Sequence, residues 1–383
     1  MALPRSRYVK LEQEGVYHCF SRCVRRAFLC GFDMLTQRDF SHRKAWLVDR
    51  LRHLASIFAV EVCAYAVMDN HYHTILRTRP DIVARWSDPE VATRWLTLFP
   101  RHRNPGGIPL PPADIDIRAL LDSPLRIAQL RQRLSSLSWF MAKLNEFIAR
   151  AANKEDNVKG RFWESRFKCQ ALLDFASIAA CMVYVDLNPI RAGLANSPEN
   201  SNFTSIQQRF RAWQSEIIST PPYVSLQPAQ IQPSTPEIKF APVTPITDNS
   251  AFLTPNPLPS PTTPSTAGEL SPCWLCPIQS DHEKQGILEI TSADYLELVS
   301  SSARLILTQK QTPIQDDLAR ILLRIGASQQ NWPHTISHFG SMFSFAAGLL
   351  PNLRSFADRL GQRWFRGVVA SRIAFRSSRT QLA

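Results

Sequence analysis

The sequence has no run of about 18 consecutive apolar residues, the length that a membrane-spanning helix requires. Its first 15 residues, MALPRSRYVKLEQEG, also lack an apolar segment of signal-peptide length. A membrane protein and a secreted protein are therefore not expected. The protein is predicted to be soluble and cytoplasmic, with no membrane partner.

Acidic residues are few relative to basic ones. The chain of 383 residues has 32 Asp and Glu against 44 Lys and Arg, which gives a net charge of +12 and a pI near 9.6. Such a surplus favours a polyanionic partner, nucleic acid or an anionic membrane surface, over a small uncharged substrate. A basic surface that serves only solubility is the competing interpretation, and composition alone leaves both open.

A paired cysteine framework is also lacking, although the chain has eight cysteines. Cys273 and Cys276 form a single CxxC in SPCWLCP, with no second pair at zinc-ribbon spacing and no βαβ pattern around it. The cysteines are therefore predicted to be reduced and structural.

Proline marks the predicted domain boundaries. The stretch from Pro221 to Pro272 holds 13 of the 28 prolines, together with many Ser and Thr. Such a composition buries too little apolar surface to offset the entropy of ordering. We therefore predict a domain at 1–214, a disordered Pro/Ser/Thr-rich linker at 215–276, and a small, basic, mainly helical module at 277–383.

Strand and helix patterns interleave in the first predicted domain. GVYHCFSRC (15–23) alternates apolar and polar residues like a half-buried strand, whereas HRKAWLVDRLRHLASIFAV (42–60) has the spacing of an amphipathic helix. EVCAYAVM and HYHTILRT flank a turn at Asp69 and Asn70, which predicts a β-hairpin. The pattern as a whole predicts an α+β sheet domain.

Two further helices are predicted in the same domain. The stretch 125–155 has a long helical pattern, and SIAACMVYVDLN (177–188) is a second one that ends at the Asn188-Pro189 pair. In the C-terminal module, SADYLELV and IQDDLARILLRIG have helical patterns.

The stretch AYAVMDNHYHTIL (64–76) places two histidines two residues apart. On a strand, successive side chains alternate between faces, so His71 and His73 share one face and Tyr72 lies on the other. Two imidazoles side by side are half of a metal site. Core histidines without a ligand are the other interpretation, and the motif alone leaves both open.

Four stretches occur in an order typical of one protein family. They are GVYHCFSRCVRR (15–26), AYAVMDNHYHTIL, GRFWESRFK (160–168) and VYVDLNPIRAG (183–193). Together they resemble the single-tyrosine HUH transposases of the insertion-sequence-200 type, and most of all the REP-associated tyrosine transposases. The resemblance covers residues 8–205.

The resemblance implies a fold, a chemistry and a partner. The family fold is an antiparallel sheet flanked by helices, with the His pair on a central strand holding Mg²⁺ or Mn²⁺. Carried over residue by residue, His71 and His73 are the implied metal ligands. A tyrosine of the family attacks single-stranded or hairpin DNA in DNA transposition, and members are monomers or homodimers by branch.

Basic and aromatic residues alternate in GRFWESRFK. Cations bind phosphates and aromatic faces stack on unpaired bases, which is the combination that single-strand binding uses. Ordinary surface arginines and core phenylalanines are the competing interpretation, and Phe162 and Phe167 are expected to be core. The predicted DNA contacts are Arg22, Arg25, Arg26, Arg161, Trp163, Arg166 and Lys168.

The chain departs from the family pattern where the nucleophile is expected. The helix before GRFWESRFK, SSLSWFMAKLNEFIARAANKE, contains no tyrosine, and Leu144 and Phe147 stand where the family tends to have one. Tyr184 belongs to the structural Y-x-x-x-N-P part of the pattern. On the same helix, Glu146 is either a third metal ligand or a solvated side chain.

Three functions remain open from the sequence. The first is a transposase-like protein that binds single-stranded or hairpin DNA with a divalent metal and cleaves and joins it. The second is a catalytically inactive, domesticated DNA-binding relative. The third is a metal-dependent nuclease or hydrolase that activates water, with Glu146 as base.

Overall fold

A computed structural model describes most of the chain in seven segments. Arg25 and Arg26, two of the predicted DNA contacts, lie outside it, as does most of the predicted linker. The described residues are 4–24, 30–34, 37–219, 273–282, 284–308, 314–363 and 366–375.

The strands are mostly in the first half of the chain. They are β1 Gly15–Arg22, β2 Phe32–Asp33, β3 Arg38–Asp39, β4 Val60–Val67, β5 His71–Thr78, β6 Lys168–Leu172 and β7 Ala346–Ala347.

Helices surround these strands in the first 219 residues, after a short 3-10 helix at Arg5–Arg7. They are α1 Arg43–Ile57, α2 Pro80–Arg85, α3 Asp88–Leu98, α4 Asp114–Leu121, α5 Pro124–Leu134, α6 Leu137–Glu155, α7 Phe175–Asp186, α8 Asn188–Arg191 and α9 Ser205–Ser219.

The described part of the C-terminal region is mainly helical apart from β7. Its helices are α10 Ser292–Thr308, α11 Asp316–Arg324, α12 Trp332–Met342, α13 Leu350–Arg359 and α14 Val368–Ala374. None of the described helices is long and apolar enough to cross a membrane.

The central sheet has the strand order β4-β5-β1-β6-β7. The strands β4, β5, β1 and β6 are antiparallel to one another in this order, and β7 is added at the edge, parallel to β6. Helices pack around it, so the predicted fold class, an α+β antiparallel sheet flanked by helices, is confirmed.

The predicted hairpin is also confirmed, between β4 and β5. The Met68 N–H donates to the His71 carbonyl at 2.9 Å and closes the turn. The register pairs Ala66 with His73 and Val67 with Tyr72, with an irregularity near Val62. Because the strands are nearly all buried, their apolar residues fix this register.

Helices α6 and α7 pack on opposite faces of the sheet. The Tyr72 hydroxyl donates to Asn145 Oδ1 on α6 at 2.7 Å, and the Asn145 amide donates to Ser21 Oγ at 3.2 Å. On the other face, the ring of Tyr184 on α7 lies 5.8 Å from the ring of His73. Helix α6 therefore covers the face opposite to the histidines.

The single helix predicted at 125–155 is two helices in the structure. Helix α5 ends at Leu134, and α6 begins at Leu137 after Ser136, whose hydroxyl accepts from the Trp139 N–H. Serine caps a helix start in this way because its oxygen satisfies a backbone donor that has no intrahelical partner. The capping serine explains why the apolar pattern continues while the helix does not.

The C-terminal region shares one compact unit with the first part of the chain. This unit, the first of two, includes the described residues within 4–213 and 273–375. Within the first unit, β7 extends the sheet and the Tyr295 hydroxyl donates to Asp186 at 2.6 Å. The predicted bounds 1–214, 215–276 and 277–383 stay a prediction.

Candidate functional site

Three histidines lie together on the face of the sheet that α7 covers. In the β1–β5 register, His71 pairs with Arg22 and His73 with Phe20, so these side chains share a face with His18. The rings of His71 and His73 are 5.0 Å apart, and those of His18 and His73 are 5.1 Å apart. The shared face expected for His71 and His73 is therefore observed.

All three imidazoles are neutral at pH 7. Burial lowers the pKa of His18 to about 4. Burial, helped by the nearby Arg22 and Arg191 guanidinium groups, lowers the pKa of His71 to about 4. The pKa of His73 is lowered well below its usual range by burial and by the other two histidines. A neutral imidazole keeps a lone pair that can bind a metal or accept a proton.

Hydrogen bonds set the tautomer of His71. Its Nδ1 lies 2.5 Å from the side-chain oxygen of Asn70. That oxygen can only accept, so Nδ1 carries the proton and Nε2 keeps its lone pair. His73 Nδ1 lies 2.9 Å from His18 Nε2, and one of these two nitrogens donates to the other.

A cleft of about 350 Å³ opens in front of these histidines. Its walls come from the sheet, from α7, from residues 164–168 and from α12 of the C-terminal region. A second pocket of about 840 Å³ adjoins it and shares His18, Phe20 and Gly340 with it. The first cleft is lined by His18, Phe20, Ser21, Arg22, His71, His73, Glu164, Ser165, Arg166, Lys168, Tyr184, Ser337, His338, Gly340 and Ser341.

Positive charge prevails in this cleft. Arg22, Arg166 and Lys168 are exposed and line it, against one carboxylate, that of Glu164. Arg22, Arg166 and Lys168 are therefore the predicted DNA contacts that the structure brings together with the histidines. A cleft with this balance attracts an anion such as a phosphate.

Phe20 places an aromatic ring inside the cleft, which sequence reasoning missed. It is half-buried on β1, 5.4 Å from the ring of His73, and the Lys168 ammonium lies 5.4 Å from its ring centre. The alternation of GVYHCFSRC puts Phe20 and His18 on one strand face. The pairing of that strand with β5 has no local signal, so the sequence could not bring them to His73.

Tyr184 also lies in the cleft rather than only in the core. Its ring contacts His18 and His73 edge-on, and the Arg191 guanidinium stacks on it at 4.0 Å. Tyr72, in contrast, is fully buried on the other face, and burial raises its pKa. Tyr184 therefore has a wall position in the site as well as a structural role.

Glu146 lies away from the histidines. Its carboxylate pairs with Lys143 at 2.6 Å and with Arg150 at 2.8 Å along α6. Those cations hold the pKa of Glu146 below its usual range. The structure does not bring Glu146 to the His71 and His73 pair.

Two of the predicted DNA contacts, Trp163 and Arg161, lie on the loop before β6 but outside the cleft. The Trp163 indole donates to the Asn145 carbonyl at 2.9 Å and packs edge-on against Tyr72 and Phe162, so its ring helps to hold α6. Arg161 is exposed and lines neither pocket. Phe162 and Phe167 are buried, as expected for core residues.

The donor atoms around the cleft fit a metal only in part. Among the described residues, no group of three His, Cys, Asp or Glu side chains is arranged to hold a metal ion. His71 and His73 supply two neutral imidazoles, which is half of the usual set for a tetrahedral ion. Any ion there would take its remaining ligands from water or from a bound anion.

Comparison with known proteins gives one distant similarity. No protein-family model matches the chain, and no curated protein matches it. A solved structure of a REP-associated tyrosine transposase bound to a REP hairpin is 14% identical, with 55% of this chain and 86% of that chain covered and a TM-score of 0.33. A similarity at this level decides nothing about the function of this chain.

Proposed function

We propose that the chain binds single-stranded or hairpin DNA in the cleft in front of His71 and His73. The observation that supports it most is the combination of lining groups, three basic side chains and the ring of Phe20. Cations in such a cleft bind the phosphate backbone, and an aromatic face stacks on an unpaired base. The biological setting we propose is that of a transposase-like protein in DNA transposition.

In this proposal the basic and the aromatic side chains have different roles. Arg22, Arg166 and Lys168 bind phosphate oxygens and position the strand, whereas Phe20 stacks on a base. Trp163, which donates to Asn145 and packs on Tyr72, does not stack.

We further propose that His71 and His73 each give one imidazole nitrogen to Mg²⁺ or Mn²⁺. Their lowered pKa values keep both rings in the form that binds a metal. Waters and a phosphate oxygen from the bound strand would supply the remaining ligands of such a six-coordinate ion. The chemistry that the ion would supply is polarisation of that phosphate.

Strand cleavage through a tyrosine of α6 is not part of the proposal. That helix has no tyrosine, and it packs on the Tyr72 face of the sheet. Glu146 gains no support as a base for a water-using hydrolase, since it is held by Lys143 and Arg150. Strand binding therefore has stronger support than cleavage.

The test compares two exposed arginines of one loop. Binding of a labelled 20-nucleotide strand is measured by fluorescence anisotropy across a salt series, for Arg166→Ala inside the cleft and Arg161→Ala outside it. Arg166→Ala should weaken binding several-fold and reduce the salt slope by about 0.7, the value for one phosphate contact to a single strand. Arg161→Ala is the matched control and should change little.

Phe20→Ala, compared with Trp163→Phe, tests the stacking ring. A stacked base contributes about 1–3 kcal/mol, so Phe20→Ala should lower affinity roughly 5- to 150-fold, with no comparable loss for Trp163→Phe. Equal losses at the paired positions, or no binding of unpaired DNA by the unchanged protein, would contradict the proposed function.

The metal is tested separately by calorimetry with Mn²⁺. His71→Ala together with His73→Ala should abolish binding, whereas His53→Ala, an exposed histidine on α1, should leave it unchanged. An unchanged Mn²⁺ affinity in the double variant would reject the site while leaving DNA binding untouched.

A further inference from the structure

We propose that α12 of the C-terminal region forms the second wall of the cleft, and that His338 on α12 and Arg366 beyond it contact the backbone of an unpaired strand held there. This inference rests on the proposed function. It assigns to the C-terminal region the wall that restricts the cleft to a single DNA strand. None of these residues belongs to the stretches that carry the family resemblance.

Helix α12 is fixed against α7 beside the cleft. A Cβ on Gly340 would lie 2.6 Å from the Tyr184 hydroxyl, so glycine allows the two helices to approach this closely. Arg191 donates to the Ser337 carbonyl at 2.6 Å, and the ring of the buried Phe339 lies 6.0 Å from that of Tyr184. The position of the wall is therefore set by packing and by the half-buried guanidinium of Arg191.

The helical period puts Ser337, His338 and Ser341 of α12 in the cleft. Trp332, Ile336 and Phe339 are buried at three- and four-residue spacing and form the packed face. His338 lies off this face, is exposed and lines the cleft opposite the sheet. Its Nδ1–H donates to the carbonyl of His334 at 3.1 Å, so a phosphate oxygen at Nε2 would be bound by the doubly protonated ring, in which Nε2–H donates as well.

Arg366 extends the same wall into the second pocket. It is exposed, lines that pocket, and donates to the Ser341 carbonyl at the end of α12 at 3.2 Å. That bond uses one of the five N–H donors of a guanidinium and leaves others for a phosphate. Arg166 lines both pockets, so the second pocket has two cations, one from the loop before β6 and one from the C-terminal region.

The size of the cleft selects the ligand. A space of 350 Å³ lies at the lower end of the roughly 300–1,000 Å³ typical of pockets for small molecules. A space of this size takes a nucleotide-sized group, and the ring of Phe20 inside it is available to an unpaired base. Two adjoining pockets that share Phe20 and Gly340 fit a strand that continues from one to the other.

A pair of histidines on α12 provides the experiment. His334 and His338 are both exposed, and their rings stack at 4.6 Å, but His334 lines neither pocket. His338→Glu should weaken binding of a labelled single strand by at least about tenfold, because a carboxylate would face the phosphates in the cleft. His334→Glu adds the same charge one helical turn away and should change affinity less than about threefold.

A second pair repeats the test at the other pocket. Arg366→Glu should reduce single-strand affinity, and Arg363→Glu, exposed but outside the pocket lining, serves as its control. Thermal unfolding midpoints of all four full-length variants establish that the fold is retained. Blunt duplex of the same sequence is the comparison ligand and should bind more weakly than the single strand.

The possible outcomes separate the two proposals. The unchanged protein could bind unpaired DNA while the two variants of each pair have equal effects. That result would overturn the role of α12 and leave the proposed function in place. Duplex binding as tight as single-strand binding would overturn the selection of one strand. No binding of any DNA by the unchanged protein would reject the proposed function, and this inference with it.

Discussion

At the scale of single residues, Asp186 links three helices through one buried carboxylate. It accepts from the Ser205 hydroxyl, from the Ile206 N–H at 3.1 Å and from the Tyr295 hydroxyl at 2.6 Å. Burial raises its pKa from 3.8 to about 6, although these hydrogen bonds oppose the rise. The protonated form is therefore favoured by folding.

This shift predicts how stability depends on pH. Since the pKa is higher in the folded state, the contribution of Asp186 is fully present below pH 4 and is lost as pH rises through 6. The difference in the free energy of unfolding between the unchanged protein and Asp186→Asn should therefore fall by about 2 kcal/mol from pH 4 to pH 7. Urea titrations at several pH values measure it. A difference that does not vary with pH would mean that folding does not raise this pKa.

At the scale of elements, β5 is tied to the C-terminal region by the buried Arg77. Its guanidinium pairs with Glu61 on β4 at 2.5 Å and donates to the carbonyls of Gln285 and Gly286 at 2.6 and 2.9 Å. These bonds hold the segment before α10 against the β4–β5 hairpin. A single side chain therefore connects stretches about 200 positions apart.

Removing Arg77 should be costly. Arg77→Met leaves two carbonyls without this donor and leaves the Glu61 carboxylate paired with Arg79 alone, at 3.0 Å. Loss of one partner of a buried ion pair costs about 3–5 kcal/mol. We expect a loss of this size in chemical denaturation. Arg85→Met is the matched control, because Arg85 is 74% exposed and its surface pair with Asp81 contributes about 1 kcal/mol at most. Similar losses for the two variants would show that burial of Arg77 does not matter.

At the scale of the whole molecule, the described part of the C-terminal region completes the fold of the first part. It adds β7 to the sheet edge, brings Tyr295 to Asp186 and places α12 beside the histidine cleft. The fold therefore requires residues from both sides of the proline-rich segment.

Cleavage of the chain should leave the two parts together. A recognition site for a specific protease, placed between residues 221 and 272, allows the chain to be cut once. The fragments should co-elute in gel filtration and separate only in denaturant, since they share one core. Separation of two folded fragments under native conditions would instead support independent domains.

The sequence by itself determined most of the local structure of this protein. Period-two alternation placed β1, and two strand-like stretches on either side of a turn placed β4 and β5. His71 and His73 were expected on one face because strand geometry fixes that relation without any neighbour. Helical spacing found α1 and α7 for the same reason. It also indicated the β4–β5 hairpin, whose partners adjoin along the chain.

Only the tertiary structure decided what faces the histidines. It placed α7 there and α6 on the opposite face, brought His18 and Phe20 into the site, left Glu146 outside it, and added α12 from more than 250 positions along the chain. The local periodicity of apolar residues indicates which residues share a face of one helix or strand. Which faces meet depends on strand order and packing between distant segments, and those are set by the burial of the whole core.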